Sequence, residues 1–304
     1  MQDVQKWSKS PFVAPDGTRK FNTATSVIPG FGLSIGVTLS MLSLIVLIPL
    51  ASIFWSSADL TVMDFFATIT RRRVLMSFAV SLETALLASL INMVMGLIMA
   101  WVLVRYQFPG KRLLDGMIEL PFALPTVVAG MALTSLTANT GLIGGFLASI
   151  GIPAPAYTRA GIVIAMIFVG IPFVVRSIQP VLEKVDRQME EAAFIMGASP
   201  VTIFRRIIFP EIRPAMLTGF GLAFARSMGE YGSVVFIAGN KPYETEIAPL
   251  LIMSELQEYD YTSATAIALG MLIIAFLVLF LTNLIQGRAA KRAGERCKKG
   301  EMPC

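Results

Sequence analysis

EEAAFIMGASPVTIFRRIIFP, residues 190–210, lies between two strongly apolar stretches of a 304-residue chain. Its centre, Gly197-Ala198-Ser199-Pro200, reads as a turn. Glycine tolerates positive φ, Ser199 suits an N-cap and Pro200 suits the first position of a helix. Before the turn, Val185, Met189, Ala192, Ala193 and Met196 recur at helical spacing and form an apolar stripe. Glu183, Asp186, Glu190 and Glu191 fall elsewhere on that helix. After the turn, Ile203, Ile207 and Ile208 give a second helix its own apolar side, with Arg205 and Arg206 beside it. A helix–turn–helix of this kind either snorkels at lipid headgroups or holds something soluble. What flanks it decides the fold.

The flanks are membrane spans. Hydrophobic residues are 55% of the chain and charged residues 15%, too apolar for a soluble domain of this length. A bilayer crossing needs about 20 mainly apolar residues. Six stretches qualify: 31–54, 84–104 (extended back to Val74 through Glu83), 117–137, 161–175 continued past Arg176, 215–240 interrupted by Arg226 and Glu230, and 262–286. Between the third and fourth, Thr137-Ala138-Asn139-Thr140-Gly141 breaks the apolar run, and a Gly- and Pro-rich loop follows to Tyr157. The expected fold is an all-α integral membrane protein of six transmembrane helices.

Six crossings place both termini on one side. That side carries the N-terminal tail, the 105–115 loop, the 176–213 loop and the C-terminal tail, and with them most of the 25 Lys and Arg. The opposite side has only Arg71, Arg72, Arg73, Arg159 and Lys241. Cytoplasmic loops collect Lys and Arg, so both termini and the 190–210 loop are expected in the cytoplasm. The Arg71–Arg73 cluster runs against this bias, and residues 60–70 are expected to form an interfacial helix beside it. The first 30 residues are polar and mixed, unlike a signal peptide, so the first span is expected to stay in the protein. The domain division is a cytoplasmic N-terminal tail (1–30), a transmembrane domain (31–286) containing the loop at about 183–210, and a basic cytoplasmic tail (287–304).

Histidine is absent and the only cysteines, Cys297 and Cys304, sit in the C-terminal tail, where they read as free thiols. There is no nucleophile–base pattern and no metal-ligand spacing. No GxxxxGK[ST] stretch is available to cradle ATP phosphates. The chain is therefore expected to be neither an enzyme nor a metalloprotein.

The spacing Glu191-Ala192-Ala193, three residues, Gly197, nine residues, Ile207, one residue, Phe209-Pro210 resembles the EAA motif of ABC-importer permeases. Phe209 stands where that family usually has Leu. The resemblance implies a type I ABC-importer permease fold. It also implies a coupling role for Glu190, Glu191, Ala192, Ala193, Gly197, Ala198, Ser199, Pro200 and Pro210, docked on a cytoplasmic ATPase. Further stretches resemble the T-type permease subunit of sulfate/thiosulfate importers: RYQFPGKRLLDGMIELPFALPTVVAG (105–130), IPFVVRSIQPVLEKVD (171–186), GEYGSVVFIAGN (229–240) and TEIAPLLIMSELQEYDYTSATAIAL (245–269). The resemblance covers about residues 31–286.

The implied partners are two ATP-binding subunits, a second homologous permease and a periplasmic sulfate/thiosulfate-binding protein. No cofactor is expected on this chain, with ATP and Mg on the ATPase, and the location is the bacterial inner membrane. The binding protein is expected on the outer loops, such as 239–261 with Glu244, Glu246, Glu255, Glu258 and Asp260. Molybdate/tungstate permeases share the loop and part of the LPFALP stretch, and so remain an alternative. A secondary anion transporter is a second one, although no repeated halves are visible.

Within the spans, charge is costly and marks pairing or function. Arg226 and Glu230 are four apart and expected on one helix face, with Glu83 of the second span within reach. Gly229, Gly232 and Ser233 give the fifth span a small-residue side suited to close packing. Arg226, Glu230, Tyr231, Gly232, Ser233 and Glu83 are the candidate pathway or gate residues; a purely structural ion pair is the competing reading. Pro121, Pro125 and Pro172 are expected to kink their spans.

Overall fold

The computed structural model describes residues 31–56 and 61–298, all helix, turn or irregular structure. The N-terminal tail (1–30) and Cys304 lie outside the described residues. The chain divides into two units, residues 1–55 and 56–304. In the first, α1 (Phe31–Leu42), a π-helical turn (Ser43–Leu47) and α2 (Ile48–Ser56) follow one another through the first apolar run.

The second unit opens with a short amphipathic helix, α3 (Val62–Ile69), where the interfacial helix is expected. It is followed by α4 (Arg72–Arg105), α5 (Lys111–Ala123), α6 (Thr126–Thr137), α7 (Leu142–Ser149) and α8 (Arg159–Lys184). Then come α9 (Arg187–Ile195), α10 (Pro200–Ile203), a π-helical turn (Phe204–Ile208) and α11 (Phe209–Met228). The last helices are α12 (Val234–Ile237), α13 (Ala248–Gln257) and α14 (Tyr261–Lys298). Among the described residues, 5 helical stretches are long and apolar enough to cross a bilayer: 72–105, 126–149, 159–184, 200–228 and 261–282. The shorter apolar helix Gly32–Leu47 is the sixth segment.

Two expectations need correction, and a third helix outruns its span. The third span is not one helix over 117–137. Pro125 has no N–H to offer the chain before it, so α5 ends at Ala123 and α6 starts afresh at Thr126. The fifth span does not start at Ala215 and run to Asn240. The helix that carries it begins at Pro200, ends at Met228 and resumes as α12 only at Val234. The helix of the sixth span runs on past Gln286, through the basic residues, to Lys298.

The second unit is organised around α4, α8 and α11, which pack against one another, while α12 lies on α6 and α13 on α14. Lipid tails are as apolar as leucine, so these helices cannot associate by burying oil from water. They associate by close packing. A side chain on Gly219 of α11 would come within 2.9 Å of the Val174 Cα of α8. Gly96 of α4 meets the same residue, with 2.6 Å from its missing Cβ to Val174 Cγ1. Around these contacts lie the buried Ala100, Leu103, Val175, Ile178 and Ile212. On the opposite side Ser81 of α4 accepts the Ala248 amide at 2.8 Å, fixing the start of α13. Asp260 caps α14 by accepting the Ser263 amide at 2.9 Å. Hydrogen bonding from Ser263 also holds the Asp260 carboxyl below the usual carboxylate range.

Candidate functional site

The 183–210 loop is built as a rigid tip. Asp186 caps α9 through its Oδ1, which accepts the Gln188 amide at 2.9 Å. At the other end Gly197 has φ of 83°. The Gly197 amide donates to Phe194 O at 2.9 Å and the Ala198 amide to Ala193 O at 3.0 Å. This pair of bonds is a Schellman closure, which needs a residue at ease with positive φ. Ser199 Oγ then accepts the Thr202 amide at 3.3 Å, and Pro200 opens α10, as the sequence predicts. From there the backbone passes through the π-helical turn into α11 with no loop between. The second helix of the tip is thus continuous with the helix of the fifth span.

The apolar stripe before the turn is corrected by the structure. Val185 and Ala193 point inward and are buried, as are Ile203 and Ile208 after the turn. Met189, Ala192 and Met196 do not join them, and Val185 lies before α9 rather than on it. Met196 is 81% exposed, beside Ile195 at 84%, Phe194 at 65% and Val201 at 66%. The tip therefore presents apolar side chains outward. Glu191, Ala192, Gly197, Ser199 and Pro200 are exposed with them, and Ala198 partly so. Behind the tip is a groove of about 550 Å³, lined by Trp101, Glu190, Glu191, Phe194, Ile203 and Phe204 among others. Glu190 is turned toward α4, where it pairs with Arg105. Pro210 lies beyond the tip, in the first turn of α11.

The other end of the α10–α11 helix holds the charge pair. Arg226 Nη1 lies 2.5 Å from Glu230 Oε2, and the Glu230 side chain is only 1% exposed. The two do not share a helix face, because α11 ends at Met228 and Glu230 sits in the break that follows. The pair forms across the helix end instead. The second Glu230 oxygen accepts the Ser233 amide at 2.9 Å. Gly232 and Ser233 likewise lie past the helix, where they meet α6. A Cβ on Gly232 would sit 2.2 Å from Thr126 Oγ1, and one on Gly130 would sit 2.5 Å from Ser233 O. Tyr231 is half-buried in the same segment, and Gly229 is exposed. Ser227 Oγ and Ser233 Oγ are buried without a hydrogen-bond partner.

Glu83 belongs elsewhere. Its Oε2 is 2.7 Å from Arg159 Nη1 at the start of α8, and its side chain is 60% exposed. Glu246 is also displaced from its expected role on an open outer loop. It is buried and takes both Nε and Nη2 of Arg73, at 2.9 and 2.7 Å. The Arg73 member of the basic cluster is therefore held by a carboxylate, and Arg71 donates to Ser263 Oγ at 3.2 Å. Sequence reading missed two more features. Arg176 of α8 bridges Asp115 and Glu119 of α5, at 2.9 and 2.7 Å. Asn92 of α4 is fully buried against Gly170, with neither side-chain atom hydrogen-bonded. A polar residue within an apolar 34-residue helix was the available signal for Asn92.

Comparison with known proteins gives the family of the whole chain. The model of a family described as "binding-protein-dependent transport system inner membrane component" matches residues 92–295, about two thirds of the chain. The chain is 45% identical over 266 residues to the sulfate transport system permease protein CysT of Salmonella typhimurium, covering 88% of this chain and 96% of that one. The same identity and coverage hold for the CysT of Escherichia coli. It is 48% identical over 250 residues to a probable sulfate transport system permease protein of Chlorokybus atmophyticus, covering 82% and 87%. Among solved structures, it is similar to a chain of a bacterial ABC transporter involved in import of the acidic polysaccharide alginate. That likeness has a TM-score of 0.70 at 17% identity and covers 85% of this chain and 96% of that one. At such identity the likeness shows the fold, which is that of an ABC-importer permease chain.

Proposed function

Because the chain belongs to the family of binding-protein-dependent transport system inner membrane components, we propose that it is the channel-forming permease subunit of an ATP-driven sulfate/thiosulfate importer. The observation that carries the mechanism is the outward apolar tip at Phe194–Met196 and Val201. Lipid tails do not reach a loop on the Lys- and Arg-rich side of the membrane, and water does not favour such a surface. A soluble protein covers it. That partner is the ATP-hydrolysing subunit, present in two copies, and the residues that meet it are Glu191, Ala192, Gly197, Ala198, Ser199 and Pro200. Catalysis of ATP hydrolysis, with its Mg, belongs to that subunit.

The pathway runs by the break after α11. Non-helical backbone at membrane depth is tolerated only where protein or water covers it. The break at Gly229–Ser233 exposes Gly229 and leaves Arg226 partly accessible. Arg226 is neutralised by Glu230, so a passing dianion meets a weak site, as rapid conduction requires. Selection then falls to a separate binding protein docked on the outer loops, and a second permease chain closes the pathway.

The test is reconstitution with the ATPase and binding protein encoded for the same transport system. ATP hydrolysis is measured with sulfate, thiosulfate and molybdate. Stimulation by sulfate or thiosulfate is expected. Stimulation by molybdate alone, or transport without any ATPase, would overturn the assignment.

A further inference from the structure

One face of α4 grips both halves of the tip. Arg105 is the last residue of α4, and its Nη2 is paired with Glu190 Oε1 of α9. The two side chains are 11% and 22% exposed, so the pair is largely shielded from water. The Arg105 guanidinium lies 5.4 Å from the Trp101 ring centroid, four residues earlier on the same helix. Trp101 in turn meets Phe204 edge-on, with centroids 5.6 Å apart. Phe204 belongs to the π-helical turn that leads into α11. The chain of contact is therefore α9, Glu190, Arg105, Trp101, Phe204, α11. The two adjacent glutamates are separated by it: Glu191 faces out, while Glu190 is committed to α4.

We infer that Arg105 and Trp101 are positioning residues that lock the tip to α4, so that a push on the tip moves α4 together with α11. The inference rests on the coupling role proposed for the tip. A tip seated only by the apolar contacts of Ala193 and Ile203 would hand most of its motion to α11, the helix it runs into. The ion pair and the edge-on ring contact tie α9 and the start of α11 to α4 as well. Breaking a shielded pair by removing one partner costs more than breaking a surface pair. Because α4 packs on α8, the displacement reaches all three central helices.

The test uses the assembled importer carrying Arg105→Gln, Glu190→Gln, Trp101→Leu, or the exchange Arg105→Glu with Glu190→Arg. Two quantities are read: co-purification of the ATPase, and sulfate carried per ATP hydrolysed. The single variants are expected to retain the ATPase and its hydrolysis while the ratio falls about tenfold, a coupling change of ordinary size. The exchange is expected to recover most of the ratio. An unchanged ratio in the single variants, or no recovery in the exchange, overturns the inference. Removing Arg105 leaves a shielded carboxylate unpaired. If that variant does not accumulate, Glu190→Gln and the exchange decide the question. Ile195→Asp separates this inference from the coupling role itself. If it leaves ATPase binding intact, the coupling role fails; if it abolishes binding while Arg105→Gln keeps the ratio, only the lock fails.

Discussion

The two ends of the α10–α11 helix are built on opposite plans. At Pro200 the helix starts in an exposed tip whose large apolar side chains face outward and whose glycine has open space around it. At Met228 it stops in a packed break, where Glu230 is buried, Gly232 has no room for a Cβ and the pairing is internal. One end presents a surface that, on the proposed function, a partner protein covers. The other is packed mostly within the chain, with Gly229 and part of Arg226 left open. Substitutions at the break should therefore damage the chain itself, while substitutions at the tip should leave the chain intact and damage the assembly.

The largest expected effect is at the break. Arg226→Ala strands the Glu230 carboxylate and should cost about 3–5 kcal/mol, as breaking a buried pair generally does. Thermal unfolding of the purified permease reads this out. Arg226→Ala with Glu230→Ala should lose clearly less than the two single losses combined; additive losses would mean that the two residues do not act together. Next is Gly130→Val, which drives a side chain into the Ser233 backbone and should cost about 1–3 kcal/mol from overpacking. Wild-type stability and uptake in this variant would mean that α6 and the break are not in firm contact.

Smaller still is Gly197→Val at the tip. No atom lies within 4 Å of its Cβ position, so the cost is backbone strain alone, about 1–2 kcal/mol for a left-handed residue. Gly197→Asn should cost less, because asparagine visits that region. Thermal unfolding ranks the two variants, and equal stability would remove φ as the reason for glycine. The smallest effect on the chain is Ile195→Asp. Its melting should stay within about 0.5 kcal/mol of the unaltered protein, as for most surface changes. Co-purification of the ATPase should nevertheless be lost. A large drop in melting here would mean that the tip is core, which would erase the contrast between the two ends.

Much of this is legible in the residues. The turn at Gly197–Pro200 is readable because positive φ, N-capping and a helix-opening proline each have a local chemical signature. The Arg226–Glu230 pair is readable from its spacing, though for a reason that fails. Glu230 lies beyond the helix end, and the break is hidden because apolar character continues through Val234–Ile237. The outward turn of Met189, Ala192 and Met196 is hidden as well, since helical periodicity assumes one continuous helix, whereas the chain breaks at Val185–Asp186 and α9 starts anew at Arg187. The ion pairs that hold the outer ends and the tip are not legible at all. Glu83 and Arg159 are separated by 76 positions, Arg105 and Glu190 by 85, and Arg73 and Glu246 by 173.

By itself the sequence determined what the bilayer and the backbone demand. Six apolar stretches follow from the thickness of the hydrocarbon layer, orientation follows from the placement of Lys and Arg, and the tip follows from turn chemistry. Tertiary structure alone decided which charges meet and which apolar side chains remain uncovered. An apolar span carries little information about its neighbours, because lipid and protein are equally welcome to its side chains. Only the packing of α8, α9 and the segment before α13 around α4 sends Glu83 to Arg159, Glu190 to Arg105 and Glu246 to Arg73, and leaves Phe194, Ile195 and Met196 facing out.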